Sequence, residues 1–342
     1  MLFRSVDAGD EVCVGVASTP GITSIGIEEI DYRGVDGRVT AILPGQSEWG
    51  SEEWLVATPS YVYLSASISG YLFRAPRAGG ELQRIYWPLP DTDPRDLLGN
   101  GAVAVGEDLF TLDDRRGDTD PMTIDPPRLH RWREVAGVLT PEVWDTGFEW
   151  PNVPVDGIGH DGTTLIMGSG RPSTAPSAVP PPVQFFAAEI GAPGVTYLGS
   201  NDSLQDVSAL AVTADWILVA GRLGGTSGIY RLRRADLADP SAPVEELFST
   251  PSVTLSEDNA GLAFFPSPAP GVPSVLYFRS YNDARIRFIL DADGTSPRFV
   301  GTLGPAGRAN TDYVLAGDPS TPALFYTSDV GSAGSPTWYR LD

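Results

Sequence analysis

Six acids or amides recur along the chain at intervals of about fifty residues: Glu53, Asn100, Asp156, Asp206, Asn259 and Asp312. Each stands just before an apolar run, and Glu52 and Asp258 flank two of them. Oxygen ligands of this kind suit a hard cation such as calcium or magnesium, provided the fold gathers them at one place. Asp and Asn at strand entries also cap turns through side-chain to backbone hydrogen bonds, a role that needs no ligand. Both readings stay open. Two further acidic groups invite the same question. Asp113, Asp114, Asp118 and Asp120 lie in a segment with Arg115 and Arg116, which reads as a solvated loop able to take a cation. Asp291 and Asp293, in Asp291-Ala292-Asp293-Gly294, open like a calcium loop but lack the closing Glu, so a hairpin turn is expected.

Other chemistry is scarce. The sequence has no Gly-x-Ser-x-Gly elbow, phosphate-binding loop, dinucleotide glycine run or His-Glu-x-x-His, and no residue is assigned a catalytic role. Cys13 is the only cysteine, which excludes an intrachain disulfide and reads as a small buried strand residue. With only His130 and His160, a zinc site built on several His and Cys ligands is excluded as well. His160 falls at a turn. His130 falls in a strand beside Arg131 and is expected to be exposed. Arg231, Arg233, Arg234, Arg285 and Arg287 read as a solvated face that pairs with carboxylates. Trp49, Trp54, Trp150 and Trp216 are candidate sugar platforms, although most Trp in such a chain belong to the core.

The elements that position these residues follow from an internal repeat. Six segments place a small-apolar-small run before a polar turn and a second alternating apolar run. Their central residues are Val56, Val103, Ile158, Leu210, Leu262 and Leu315, spaced 47 to 55 residues apart. A third strand and a fourth follow, as in Gly70-Tyr71-Leu72-Phe73-Arg74 and Leu82-Gln83-Arg84-Ile85-Tyr86. Period-two alternation between Gly, Asp and Pro turns is the antiparallel strand signal, and no long window has helical periodicity. Four antiparallel strands per repeat describe a β-propeller blade. The N-terminal part reads as one more unit, with strands at 2–8, 11–17, 24–32 and 39–43.

The expectation is therefore an all-β chain, a single propeller domain over 1–342 with seven four-stranded blades at 2–45, 53–89, 100–146, 153–200, 206–250, 256–303 and 310–342. The alternative is six blades with an irregular N-terminal hairpin. Because the last unit ends at its third strand, a terminal strand must close it, and Leu2-Phe3-Arg4-Ser5-Val6 is one candidate. An upstream segment is the other. In a propeller the first strand of each blade lines the channel, so the six spaced acids and amides would ring one mouth. The Pro-rich segment 170–182 and the acidic segment 113–127 occupy equivalent places in adjacent repeats and read as long loops that meet on one face of the disc.

Composition limits the partners. The chain has 342 residues and a formal net charge of −21, and all 23 basic residues are Arg. Such a charge repels phosphate backbones and anionic lipid, which argues against nucleic-acid and membrane-surface roles. Its natural complement is a cation or a basic surface. No apolar run is long enough to span a bilayer. The N-terminus has no basic region followed by an apolar stretch, so the expected location is cytoplasmic, or extracytoplasmic and envelope-associated if a leader has been removed. A monomeric domain is expected.

The pattern Tyr61-Val62-Tyr63, Gly70-Tyr71-Leu72-Phe73-Arg74 and Gly79-Gly80-Glu81-Leu82 resembles the repeats of NHL, YVTN and TolB-type propellers, especially those of bacterial cell envelopes. Within that superfamily, regucalcin and gluconolactonase-like enzymes hold a divalent metal at the channel mouth with a Glu, an Asn and an Asp. Glu53-Trp54-Leu55-Val56 and Asn259-Ala260-Gly261-Leu262 are similar to their ligand segments, and Asp206 or Asp312 would supply the carboxylate. Two functions follow. One is a non-catalytic propeller that binds a protein, peptide or glycan on one face. The other, implied by the resemblance, is a metal-dependent hydrolase or lactonase.

Overall fold

The computed structural model describes residues 15–19, 22–26, 39–43, 52–66, 71–77, 83–85, 101–113, 127–151, 155–169, 182–249, 261–280, 283–303, 315–318, 323–328 and 337–341. Cys13, Trp49, Asn100, Asp114, Asp118, Asp120, Asn259, Asp312 and the segment 2–6 lie outside them. Among the described residues no helix is long and apolar enough to cross a membrane.

Five blades are built from four consecutive antiparallel strands each. Blade 1 holds β4 (Glu52–Ala57), β5 (Tyr61–Ala66), β6 (Tyr71–Pro76) and β7 (Gln83–Ile85). Blade 2 holds β8 (Gly101–Val105), β9 (Asp108–Asp113), β10 (Arg128–Val135) and β11 (Val138–Val143). Blade 3 holds β12 (Val155–His160), β13 (Thr164–Ser169), β14 (Val183–Glu189) and β15 (Thr196–Asn201). Blade 4 holds β16 (Leu204–Val212), β17 (Trp216–Leu223), β18 (Thr226–Arg233) and β19 (Glu245–Ser249). Blade 5 holds β20 (Leu262–Phe265), β21 (Val275–Ser280), β22 (Asp283–Leu290) and β23 (Arg298–Leu303).

The remaining four-stranded sheet is composite. It joins β24 (Leu315–Asp318), β25 (Ala323–Ser328) and β26 (Thr337–Leu341) to β3 (Val39–Leu43) from the other end of the chain. Leu341 lies opposite Val39 and Tyr339 opposite Ala41. Among the described residues, β1 (Gly15–Thr19) and β2 (Ile22–Gly26) pair only with each other.

The expected blade count is corrected accordingly. The N-terminal unit is not a seventh blade, because its last strand belongs to the terminal sheet. The alternative of six blades with an irregular N-terminal hairpin is corrected too, since five blades form from consecutive strands and the remaining sheet is composite, drawing β3 from the N-terminal segment. The strand that closes the terminal sheet is Val39–Leu43, whereas the expected candidate Leu2–Val6 lies outside the described residues. An unpaired β26 would expose a row of donors and acceptors, and β3 covers that edge.

The first strands β4, β8, β12, β16, β20 and β24 touch in that order, and β24 returns to β4. Strands that converge on an axis need small side chains, which accounts for Ala102-Val103-Ala104, Gly157-Ile158-Gly159 and Ala209-Leu210-Ala211. A Cβ at Gly157 would come within 2.6 Å of Val207 Cγ1, so only glycine lets β12 lie this close to β16. The turns after three of these strands use one device. Thr58 Oγ1 accepts the Tyr61 N–H at 3.0 Å, Thr213 Oγ1 accepts the Trp216 N–H at 3.0 Å, and Asp161 Oδ1 accepts the Thr164 N–H at 2.8 Å.

Most of the described core lies between blades. One cluster packs Phe110, Leu129 and Trp144 of blade 2 against Ile158, Met167 and Phe186 of blade 3. Similar clusters join blades 1 and 2, 3 and 4, and 4 and 5. Each fully buried side chain of this size stabilises the fold by about 1.5–3 kcal/mol.

Arginine takes part in these seams, contrary to the expected solvated face. Arg74 lies 4.4 Å from the Tyr61 ring and pairs with Glu134 of blade 2 at 3.0 Å. Arg131 lies 4.5 Å from the Trp144 ring and pairs with Asp108. Arg231 lies 4.0 Å from the Trp216 ring and donates to the Ala292 and Gly294 carbonyls of blade 5 at 3.0 and 2.7 Å. Arg231 and Arg287 are buried, Arg233 is exposed, and Arg234 is half-buried. His130 is buried too, not exposed as expected. Trp54, Trp150 and Trp216 are core residues and present no open platform for a sugar.

Candidate functional site

The mouth where the first strands begin is shaped by irregular pairing. Between β4 and β5 the register passes from Glu52 opposite Ala66 to Trp54 opposite Ser65, leaving Glu53 as an extra residue. Between β12 and β13 it passes from Val155 opposite Ser169 to Gly157 opposite Gly168, so Asp156 is extra. β16 has two such breaks, at Gln205 and Ser208, on either side of the pair Asp206 opposite Arg222. A bulge bends its strand and re-aims one side chain, and bulges recur beside functional sites.

The sequence placed Glu53, Asp156 and Asp206 just ahead of the inner strands. They lie inside those strands, at or beside the bulges. Asp156 and Asp206 are buried at 8% and 3% exposure. Their backbones are packed against glycines of neighbouring strands. A Cβ at Gly101 would come within 2.5 Å of the Asp156 carbonyl oxygen, and one at Gly221 within 2.1 Å of the Asp206 carbonyl oxygen. Of the six ring candidates, these three fall on described strands around one mouth, while Asn100, Asn259 and Asp312 lie outside the described residues. Among the described residues no group of three His, Cys, Asp or Glu side chains is placed to hold a metal ion.

Sequence reasoning missed Arg222 and Arg279. Both sit toward the mouth ends of second strands, and Arg279 is 1% exposed. The available signal was an Arg directly after an apolar strand, in Leu218-Val219-Ala220-Gly221-Arg222 and Leu276-Tyr277-Phe278-Arg279. That signal is weak, because an Arg at a strand end ordinarily faces water.

The other acidic candidates are held by local bonds. Asp291 has a left-handed φ of 56°, and its Oδ2 accepts the Ser296 N–H at 2.8 Å while its carbonyl accepts the Gly294 N–H at 2.9 Å. Asp293 accepts the Ser274 hydroxyl. Together they form the β22–β23 turn. Asp113 ends β9.

At the opposite end of the channel, Asp161 pairs with Arg234 of blade 4. Burial acts to raise the pKa of Asp161, but Arg234 and the Thr163 and Thr164 donors outweigh it and hold the carboxyl well below its usual range. That carboxylate is a structural tie, since its partners Thr163, Thr164 and Arg234 all belong to the fold.

No protein-family model matches the chain, and no curated protein sequence matches it. Solved structures do resemble it. An α-L-arabinanase of Penicillium chrysogenum, solved with arabinobiose, superposes with a TM-score of 0.55 at 10% identity, covering 89% of this chain and 97% of its own. A luciferin-regenerating enzyme gives 0.51 at 13% identity, covering 88% and 94%. A putative TolB of Agrobacterium tumefaciens gives 0.47 at 15% identity, covering 89% and 96%. At these identities the likeness shows the β-propeller fold alone and no particular activity.

Proposed function

We propose that the protein is a non-catalytic propeller that binds a basic segment of a partner protein or peptide at the channel mouth. The observation that supports this reading is the set of bulges on β4, β12 and β16, which brings the Glu53, Asp156 and Asp206 positions to one end of neighbouring or near-neighbouring inner strands. Carboxylates set into a low-dielectric rim attract cationic groups more strongly than the same charges dispersed over a surface. The net charge of −21 draws basic partners toward the molecule over a longer range.

The test is calorimetric titration of an oligo-arginine peptide into the full-length protein at low and moderate salt. The wild type is expected to bind in a salt-dependent way, with affinity falling at least about tenfold in Glu53→Gln and in Asp156→Asn. Equal affinity in wild type and both variants would overturn the proposal. So would a melting temperature raised by calcium but unaffected by the peptide, which would favour the metal-dependent hydrolase reading instead.

A further inference from the structure

The turn between β12 and β13 touches three consecutive blades. His160, the last residue of β12, lies against β8 of blade 2, where the Ala104 backbone is one of the influences on its ring. Its Nδ1 accepts the Gly162 N–H at 3.0 Å. Because Nδ1 is an acceptor, the ring proton sits on Nε2, which makes His160 neutral in this arrangement. The next residue ties the turn to the other side. Asp161 Oδ1 accepts the Thr163 N–H, the Thr164 N–H and the Thr163 hydroxyl, each at 2.8 Å, and Oδ2 pairs with Arg234 of blade 4.

We propose that this turn is an acid-released clamp across blades 2, 3 and 4, closed while His160 is neutral and opened when its imidazole is protonated. Protonation replaces the Nδ1 acceptor with a donor that faces the Gly162 N–H, so that bond is lost. The imidazolium also becomes a second cation beside Asp161 and competes with Arg234 for it.

Among the described residues the surroundings supply no other strong partner. On its own turn His160 faces Asp161, which is already shared with Arg234. Blade 2 offers the Ala104 backbone. On its β8–β9 turn, Glu107 takes the Ser60 hydroxyl at 2.7 Å, and Asp108 pairs with Arg131 and Arg133. Across the sheet, β13 places Leu165 opposite His160. Burial is the largest influence on the ring and outweighs Asp161 and Ala104, holding its pKa below the ordinary 6.5.

The sign follows from linkage. The unfolded chain takes up this proton near pH 6.5 and the folded chain only at lower pH. The contribution to stability is therefore full above that range and is lost as the pH falls through it. One linked proton changes the folding constant by at most about tenfold per pH unit.

The experiment compares denaturant unfolding of the full chain with that of His160→Asn between about pH 7 and pH 5, where an unperturbed histidine titrates. Asn keeps an acceptor near the Nδ1 position and does not titrate. The wild type is expected to lose stability more steeply than the variant, by up to about tenfold in folding constant per pH unit. Parallel pH profiles would overturn the proposal. Imidazole nitrogen NMR of the wild type gives the second readout and decides the matter if the variant does not fold. The His160 resonances should show an Nε2–H tautomer and a midpoint below about 6.5. An Nδ1–H tautomer, or a midpoint at or above that value, would refute the clamp.

Discussion

Arg231→Met tests whether the seams between blades depend on buried arginines. The guanidinium supplies the two hydrogen bonds to the Ala292 and Gly294 carbonyls at 3.0 and 2.7 Å, stacks 4.0 Å from Trp216 and pairs with Glu245 at 2.6 Å. A buried carbonyl that loses its donor costs about 1–3 kcal/mol. Gly294 is half-buried, so water compensates part of its loss. Removing a desolvated cation–π contact costs roughly 0.5–2 kcal/mol. Glu245 is half-exposed and returns to water, so its pair adds about 0–1 kcal/mol. Methionine keeps much of the packing along the stem, which leaves a net loss of about 3 kcal/mol. With an unfolding entropy of about 2.1 cal/mol/K per residue, this lowers Tm by about 4 °C if the chain unfolds cooperatively.

The control is Arg233→Met. Arg233 lies 4.5 Å from the same Trp216 ring but is exposed, and its loss should cost no more than about 0.5 kcal/mol. Urea unfolding and thermal melts of both variants provide the comparison. Equal effects in the two, or a wild-type Tm for Arg231→Met, would refute the argument that this seam is held by a guanidinium bonded to carbonyls.

Two further outcomes follow from backbone geometry. Ala136 has φ 52° in the two-residue turn Ala136-Gly137 between β10 and β11, a left-handed position that costs a residue with a Cβ about 1 kcal/mol. Ala136→Gly should therefore raise the urea midpoint slightly or leave it unchanged, because glycine's greater unfolded-state entropy offsets part of the gain, and a clear fall would contradict the account. Gly221→Ala brings a Cβ to 2.1 Å from the Asp206 carbonyl oxygen unless the strands shift. A loss of about 1–3 kcal/mol is expected, together with weaker oligo-arginine binding, and an unchanged midpoint would show that β16 and β17 separate freely.

Much of the blade grammar was legible because it rests on local chemistry. An apolar run with small neighbours and an alternating second strand recur with each unit, three of them share a Thr or Asp turn, and four-stranded sheets stand at Val56, Val103, Ile158, Leu210 and Leu262. The N-terminal count failed for a different reason. Val39–Leu43 has the composition of a fourth strand whether it pairs with a neighbour in sequence or with Thr337–Leu341, and alternation does not name the partner. Acids near the mouth could also be found, as Asp156 and Asp206 illustrate, but not their placement inside bulged strands. A bulge depends on the register between two strands, which neither sequence carries alone. The buried arginines were hidden by their charge. Arg231 becomes a seam residue only because a Trp216 face and two carbonyls of another blade meet it there.

The composite sheet also fixes an order in time. Blades 1 to 5 can each assemble their four strands as soon as they leave the ribosome, and every such contact is local in sequence. β3 emerges before all of them, yet its hydrogen-bonded partner β26 is made nearly three hundred residues later. Until then, the growing chain carries an unmatched β3 and an uncovered inter-blade face. The circle is therefore completed only once β26 has been made, by a contact between strands far apart along the chain and against a large loop-closure entropy.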